Sequence, residues 1–349
     1  MENKSVLVGM SGGVDSSACC IILKEQGYRV VGATMRLLPF YDESEEQAIK
    51  DAKEVCEKIG IEHIVLDYKK EFQKYVVNYF IDEYINGRTP NPCVVCNKYL
   101  KFGLMNDKRK ELGIDYLATG HYAKIINNDG IFSLKMSDYK NKDQSYFLYN
   151  MTQDILRYTL MPLGEYTKDE TRKICEDNGL LIAHKKDSQD ICFVKNNDYI
   201  NFIKENSDYN AKEGNILDTN GNIIGKHKGL INYTVGQRKG IGAYGRPMFV
   251  LSIDKDKNEL ILGEKGMEFS KSLIAYNVNF ISGKKLTEKM TVESKIRYSA
   301  KSAKSTIEPL EDGRVMVIFD EEQRAVTPGQ AVVFYNGDEV LGGGTVEKR

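Results

Sequence analysis

Over the first two hundred residues, short apolar runs alternate with longer amphipathic stretches, and the two periods predict strand and helix in turn. Ser5 to Met10 is apolar and β-branched and reads as a strand; Ser16 to Gln26 has helical spacing and is closed by Gly27. Arg29 to Met35 and Glu62 to Asp67 read as further strands, separated by a charged amphipathic helix from Ser44 to Ile59 that stops at Gly60. Glu71 to Asn86 reads as a helix. A loop rich in Pro, Asn and Cys comes next, then a helix near Leu104 to Leu112 and a strand from Tyr116 to Thr119. Thr167, with Glu170 three residues later, makes a capping box for a helix that Gly179 closes. Such alternation predicts an α/β class built on a doubly wound parallel sheet.

The pattern changes after about Asn206. Gly and Asn turns then separate short alternating segments, such as Gly221-Asn222 before Ile223-Ile224 and 256–258 before Glu259 to Leu262. Strands are expected at Val292 to Tyr298, Arg314 to Phe319, Ala331 to Tyr335 and Val340 to Val346. The expected division is an α/β domain over 1–206, a small central domain over 207–269 and a β-barrel over 270–349. With 349 residues, 41% hydrophobic and 28% charged, the chain is long enough for such a set of cores.

No apolar run approaches bilayer length, and Met1 to Gly9 lacks the pattern of a signal peptide, so the expectation is a cytoplasmic protein without a membrane partner. The seven cysteines are scattered and odd in number, which argues against a framework of structural disulfides. A net charge of -1 excludes a protein that coats nucleic acid through bulk electrostatics. DNA is not an expected partner, and any RNA contact has to use a local patch. Gly225 to Arg246 offers one: Lys226, Lys228, Arg238, Lys239 and Arg246 with no acidic residue, and Tyr233 and Tyr244 available for stacking.

Gly9-Met10-Ser11-Gly12-Gly13-Val14-Asp15-Ser16-Ser17 directly follows the first strand and opens the first helix, where backbone N–H groups and the helix dipole converge on an anion. The glycines admit close approach of phosphate, the hydroxyls add donors, and Asp15 is suited to holding Mg²⁺ against the phosphates. There is no Gly-Lys-Ser/Thr, so the loop is not of the Walker type; it resembles the pyrophosphatase loop (PP-loop) of enzymes that cleave ATP between the α and β phosphates. Gly240-Ile241-Gly242-Ala243-Tyr244-Gly245 has dinucleotide spacing but follows no clear strand, and it is read as a surface loop.

Thr89-Pro90-Asn91-Pro92-Cys93-Val94-Val95-Cys96-Asn97-Lys98 carries a Cys-x-x-Cys that the prolines approach in an extended form. A third candidate thiol, Cys192, lies in 187–193. Lys98, Lys101, Lys185 and Lys186 are expected to favour thiolate. A lone Cys-x-x-Cys also fits a redox pair or half a zinc site. Cys19, Cys20, Cys56 and Cys175 fall on predicted helices among apolar neighbours and are expected to be buried and inert.

Taken together, the phosphate loop, the Asn-Pro-Cys-x-x-Cys-Asn run and Ile191-Cys192-Phe193 resemble the bacterial tRNA-specific 2-thiouridylase family, of the PP-loop superfamily. Further matching runs are Ala118 to Tyr122, Asn141 to Leu148, Thr234 to Gly240, Val326 to Gln330 and Leu341 to Gly344, so the resemblance covers almost the whole chain. It implies a PP-loop, Rossmann-like domain, a small central domain and a C-terminal β-barrel. It also implies ATP contacts at Gly9, Met10, Ser11, Gly12, Gly13, Val14, Asp15, Ser16, Met35 and Gly120. The target uridine would meet Asn91, Pro92 and Cys93, and tRNA would meet His121, Lys142, Asp143, Gln144, Arg297, Tyr298 and Gln330.

The implied reaction is ATP-dependent thiolation of a tRNA wobble uridine of the Lys, Glu and Gln types. Adenylation of the C2 oxygen is followed by sulfur transfer, with Cys192 carrying a persulfide from a donor protein and Cys96 resolving it as a disulfide. The family pattern has aspartate where this chain has Cys93, so that aspartate's acid/base role does not carry over. Related thiolases hold a four-iron iron-sulfur cluster on three cysteines. Cys93, Cys96 and Cys192 as cluster ligands presenting hydrosulfide therefore stand beside the persulfide route. Two other readings remain: another PP-loop adenylating ligase, and a non-catalytic ATP-sensing RNA-binding protein.

Overall fold

The computed structural model describes residues 4–185 and 191–348. Lys186 and the 187–190 part of the Cys192 motif therefore lie outside the described residues. Strands β1 (Ser5–Met10), β2 (Arg29–Arg36), β3 (Glu62–Asp67) and β4 (Tyr116–Thr119) pair in parallel; β5 (Ala123–Asn128) and β6 (Ile131–Met136) form a hairpin outside that sheet; β7 (Thr159–Leu160) returns to it. The sheet order is β3-β2-β1-β4-β7. Val6 and Val8 of β1 share a core with Ala18 and Ile22 of helix α1 (Val14–Glu25), whereas Leu7 packs with Phe102, Met105 and Leu117 in a second core. A strand covered on both faces needs this unbroken apolar run. Helix α2 (Glu43–Ile59) starts at Asp42, whose carboxylate accepts from the Ser44 and Glu45 amides, and ends at Gly60 with φ of 66°.

The Cys-x-x-Cys departs from expectation. Pro92–Cys96 is helical, and the winding continues as a π-helix over Asn97–Leu104 and an α-helix over Met105–Glu111. Pro92 sits at the start of the helix, where its fixed φ is favourable and its missing N–H costs nothing. Only the approach, at Asn91, is non-helical.

The central unit is a four-stranded sheet in the order β10 to β11 to β8 to β9, built from β8 (Gly214–Leu217), β9 (Ile223–His227), β10 (Met248–Asp254) and β11 (Glu259–Glu264). Strands β12 (Phe269–Phe280), β13 (Met290–Lys295), β14 (Ala303–Pro309), β15 (Val315–Arg324), β16 (Ala331–Asn336) and β17 (Glu339–Lys348) close into a six-stranded barrel through the β12–β17 pairing. The α/β class with a parallel sheet, a central unit and a barrel is thus as expected. The units also share a sheet: β6 pairs with β17 through Leu134 and Val340. Among the described residues no helix is long and apolar enough to cross a membrane.

The capping box forms as expected on the helix Lys168–Asp177: Thr167 Oγ1 accepts from the Glu170 amide at 3.2 Å, and Glu170 accepts from the Thr167 amide at 2.7 Å. Thr167→Ala is expected to cost about 1 kcal/mol and to lower the melting midpoint by about 2–4 °C. An unchanged thermal scan would show that the helix start does not depend on this box.

Candidate active site

Strand order reverses between β1 and β4, and the loops leaving those two strands face one crevice at their carboxyl ends. The Gly9 to Ser16 loop leaves β1 there. Gly12 has φ of 63°, and a Cβ on it would lie 2.4 Å from the Ala48 carbonyl oxygen of α2, so the position requires glycine twice over. Ser16 Oγ accepts from the Ser11 amide at 3.2 Å and donates to the Gly13 carbonyl at 3.1 Å, which curls the loop. Gly13 opens α1 without a side chain to cap it. A helix start without a side-chain cap is the arrangement an anion fills. Met35 is half-buried at the end of β2. A Cβ on Gly120 would lie 2.9 Å from the Asp15 carbonyl carbon, so the β4 loop rests directly on the phosphate loop.

One participant escaped sequence reasoning. Lys168, from the far helix, donates to Asp15 Oδ1 at 2.7 Å, and the Tyr122 hydroxyl donates to the same oxygen at 2.8 Å. Asp15, the residue expected to hold Mg²⁺, makes this pair with its side chain still 35% exposed. Of the expected thiolate-stabilising lysines, Lys185 donates to the Gly12 carbonyl at 3.1 Å and pairs with Asp51 at 2.8 Å. Lys98 lies over the Tyr99 ring.

Cys93, Cys96 and Cys192 share one neighbourhood. Cys192 is held there by its successor: Phe193 is buried edge-on against Phe72 at 5.4 Å and Phe80 at 5.2 Å. Cys96, Val95 and Ile191 pack against the same aromatic cluster. All seven cysteines are free thiols. Cys93 and Cys192 reach solvent, yet the protein packed behind Cys192, and then repulsion from Cys96 and Cys93, raises the Cys192 thiol to about 12. Burial raises Cys96 to about 11 and raises Cys93 as well. Lys101 is the cation that opposes the shift at all three. The π-register, which bonds residue i to i+5, carries Lys101 one wide turn beyond Cys96. Among the described residues, no three His, Cys, Asp or Glu side chains are placed to hold a metal ion. Cys19, Cys20, Cys56 and Cys175 are buried, as expected.

The Asn91 corner is braced by the other two units. Gln330 donates to the Thr89 and Pro90 carbonyls at 3.1 and 3.0 Å. The Thr89 amide donates to the Pro328 carbonyl at 2.9 Å, and Thr89 Oγ1 lies 3.3 Å from Thr234 Oγ1. Asn91 Oδ1 accepts from the Val94 amide, and Pro92 is buried.

Several residues expected to touch tRNA are engaged within the protein. His121 is buried, 2.8 Å from Thr119 Oγ1, and burial and then Lys101 push its pKa well down, so the ring is neutral. Asp143 is buried and accepts from the Ser137 amide and the Ser145 hydroxyl at 3.0 and 2.8 Å; Gln144 accepts from the Tyr122 amide at 3.1 Å. Arg297 donates to the Arg324 carbonyl at 2.8 Å. Lys142 is partly exposed on the turn Lys140–Lys142. Tyr298 is 39% exposed, with Phe147 at 4.6 Å and Lys295 over its ring. In the basic stretch Lys226, Lys228, Arg238, Lys239 and Arg246 are all exposed, but Tyr233 is buried in the central core and is not available for stacking. Gly240 to Gly245 lies outside helix and strand, as expected.

A non-Walker phosphate loop at the switch point of a parallel sheet, three clustered thiols, and two β units braced on the segment that leads into the Cys-x-x-Cys define a multidomain enzyme of the HUP class. Residues 4–196 match the tRNA methyl transferase HUP domain, 200–264 the tRNA methyl transferase PRC-barrel domain, and 270–346 the aminomethyltransferase beta-barrel domain. The tRNA-specific 2-thiouridylase MnmA of Acetivibrio thermocellus is 53% identical over 99% of this chain and 100% of its own. That of Clostridioides difficile is 49% identical over 99% of each. The chain belongs to the tRNA-specific 2-thiouridylase family. Among solved structures, the U34-tRNA thiolase NcsA from Methanococcus maripaludis with its 4Fe-4S cluster is 21% identical over 58% of this chain and 63% of its own. Its TM-score of 0.37 is too low to bear on the chemistry.

Raised thiol pKa values make thiolate the minor form at neutral pH, so reactivity has to climb with pH. Alkylation of Cys96 and Cys192 by iodoacetamide, followed by peptide mass spectrometry, is expected to accelerate by about tenfold per pH unit from 7 to 9. A plateau reached by pH 8 would contradict the raised values.

Proposed function

We infer that this chain is a tRNA-uridine 2-sulfurtransferase that thiolates C2 of the wobble uridine at the expense of ATP. The observation that carries this reading is a PP-loop packed on the β4 loop, whose His121 has the same cationic neighbour, Lys101, as the thiol set, in a chain about half identical to tRNA-specific 2-thiouridylases over its full length. Residues 1–206 perform adenylation and sulfur transfer; 207–269 and 270–349 hold tRNA.

The C2 carbonyl is a poor electrophile because oxide is a very bad leaving group. Its oxygen therefore attacks the α-phosphorus of ATP first, and the bond to pyrophosphate breaks. The α1 amides and Ser11 receive the phosphates, Met35 and Gly120 line the nucleoside, and Asp15 would help hold Mg²⁺, which neutralises phosphate charge. The target base, drawn out of the anticodon loop, meets the Asn91-Pro92-Cys93 corner. His121, Lys142 to Gln144, Arg297, Tyr298 and Gln330 shape or line the path of the tRNA.

Sulfur arrives as a persulfide on Cys192, loaded by a donor protein. Its outer sulfur, a stronger acid than the shielded thiols, attacks C2. Cys96 then attacks Cys192 Sγ, the S–S bond to the transferred sulfur breaks, AMP departs with the oxygen, and a Cys96–Cys192 disulfide remains for an external thiol to reduce. The four-iron alternative would use the same Cys93, Cys96 and Cys192, which share one neighbourhood, although among the described residues no three such donors stand ready to hold a metal ion. Cys93 stands beside the nucleophiles without the family's carboxylate. A reaction that uses ATP and tRNA is at home in the cytoplasm.

Pyrophosphate release should depend on tRNA and fall to background when the wobble uridine is replaced by cytidine. Release indifferent to that replacement would leave a ligase or an ATP-sensing RNA-binding protein as the better reading. Cys192→Ala should retain pyrophosphate release and lose sulfur incorporation, measured with labelled sulfur. Incorporation that survived would remove Cys192 from the chemistry.

A further inference from the structure

Lys168 occupies a place that local physics disfavours. It is the first residue of its helix, where the positive end of the dipole opposes a cation. Its side chain is only 10% exposed, and an ammonium withdrawn from water costs several kcal/mol unless it is well paired. Its partner does not need it for folding: Asp15 stands in the first turn of α1, a position already favourable for a carboxylate. Replacement of both members of such a pair by apolar residues is often neutral, so the pair is weak evidence of a purely structural role.

The geometry says what the pair does. Lys168 Nζ and the Tyr122 hydroxyl converge on one oxygen, Asp15 Oδ1, at 2.7 and 2.8 Å. Tyr122 also lies 3.1 Å from Thr171 Oγ1, one turn along the helix from Lys168. Gly120 presses on the Asp15 backbone from the β4 side. The carboxylate is thus gripped from one side at the point where the uncapped α1 amides open to the crevice. We propose that Lys168 is a positioning residue of the nucleotide site, fixing the Asp15 carboxylate so that its remaining oxygen faces the bound magnesium–ATP. This rests on the reading of the crevice as an ATP site.

The test compares the full-length protein with Lys168→Met and Lys168→Arg, using calorimetric titration of ATP with and without magnesium and tRNA-dependent pyrophosphate release. Wild-type binding of magnesium–ATP checks the ATP reading itself, so its failure is distinguishable from failure of the Lys168 role. The methionine variant is expected to bind magnesium–ATP at least tenfold more weakly. It should also lose most of the preference for the magnesium complex and slow pyrophosphate release at saturating ATP, with a cooperative melt retained and tRNA affinity unchanged. Arginine is expected to restore most of the preference. A methionine variant that keeps the wild-type magnesium preference and release rate overturns the proposal. So does an arginine variant that matches methionine in every readout, which would mean that shape matters there rather than charge.

Discussion

The nucleotide crevice depends on the unsatisfied start of α1. Val14 begins a helix behind a glycine that has no side chain to cap it, so the first amides of the helix take no bond from that position. Gly12 can take its left-handed conformation only because it has no side chain, and the Ala48 carbonyl fills the space where one would be. Gly120 meets Asp15 closely enough that any larger residue would lift the β4 loop away. Each neighbour of the helix start is therefore either too small to occupy it or, like Asp15, turned aside by a partner.

The thiol site follows a different constraint. Sulfur chemistry wants an anion, while the aromatic cluster that fixes Cys192 through Phe193 excludes the water that would stabilise one. Among the described residues Lys101 is the cation that faces the set, and it does not restore ordinary acidity. The persulfide proposed on Cys192 would resolve the conflict, since its outer sulfur is more acidic than the thiol that carries it. Unloaded thiols are meanwhile protected from adventitious reaction.

Most of the α/β unit was legible in the sequence, because strand and helix periods there are clean and Gly27, Gly60 and Gly179 mark the helix ends. The helical state of Pro92–Cys96 was not, although a proline at a helix start is a recognised signal; two prolines in three residues read more readily as a loop. The hairpin β5–β6 was missed despite its Asp129-Gly130 turn. Tyr233 was expected to stack on RNA, but it lies in the central core, which only the tertiary arrangement of β8 to β11 reveals. The Lys168 to Asp15 contact spans 153 positions, and no local period encodes a pairing of that kind. Gln330 was named through family resemblance as a tRNA contact; its two bonds to Thr89 and Pro90 came only from the fold.

Those two bonds bear on biosynthesis. A polypeptide emerges amino end first, so the Asn91 corner leaves the ribosome long before Gln330 and β17 exist to brace it. Until then β6 keeps an unpaired edge and the corner lacks its outer wall. The nascent phosphate loop and thiols therefore precede their bracing, and the corner that leads into the Cys-x-x-Cys gains its outer wall only when the last strands are in place.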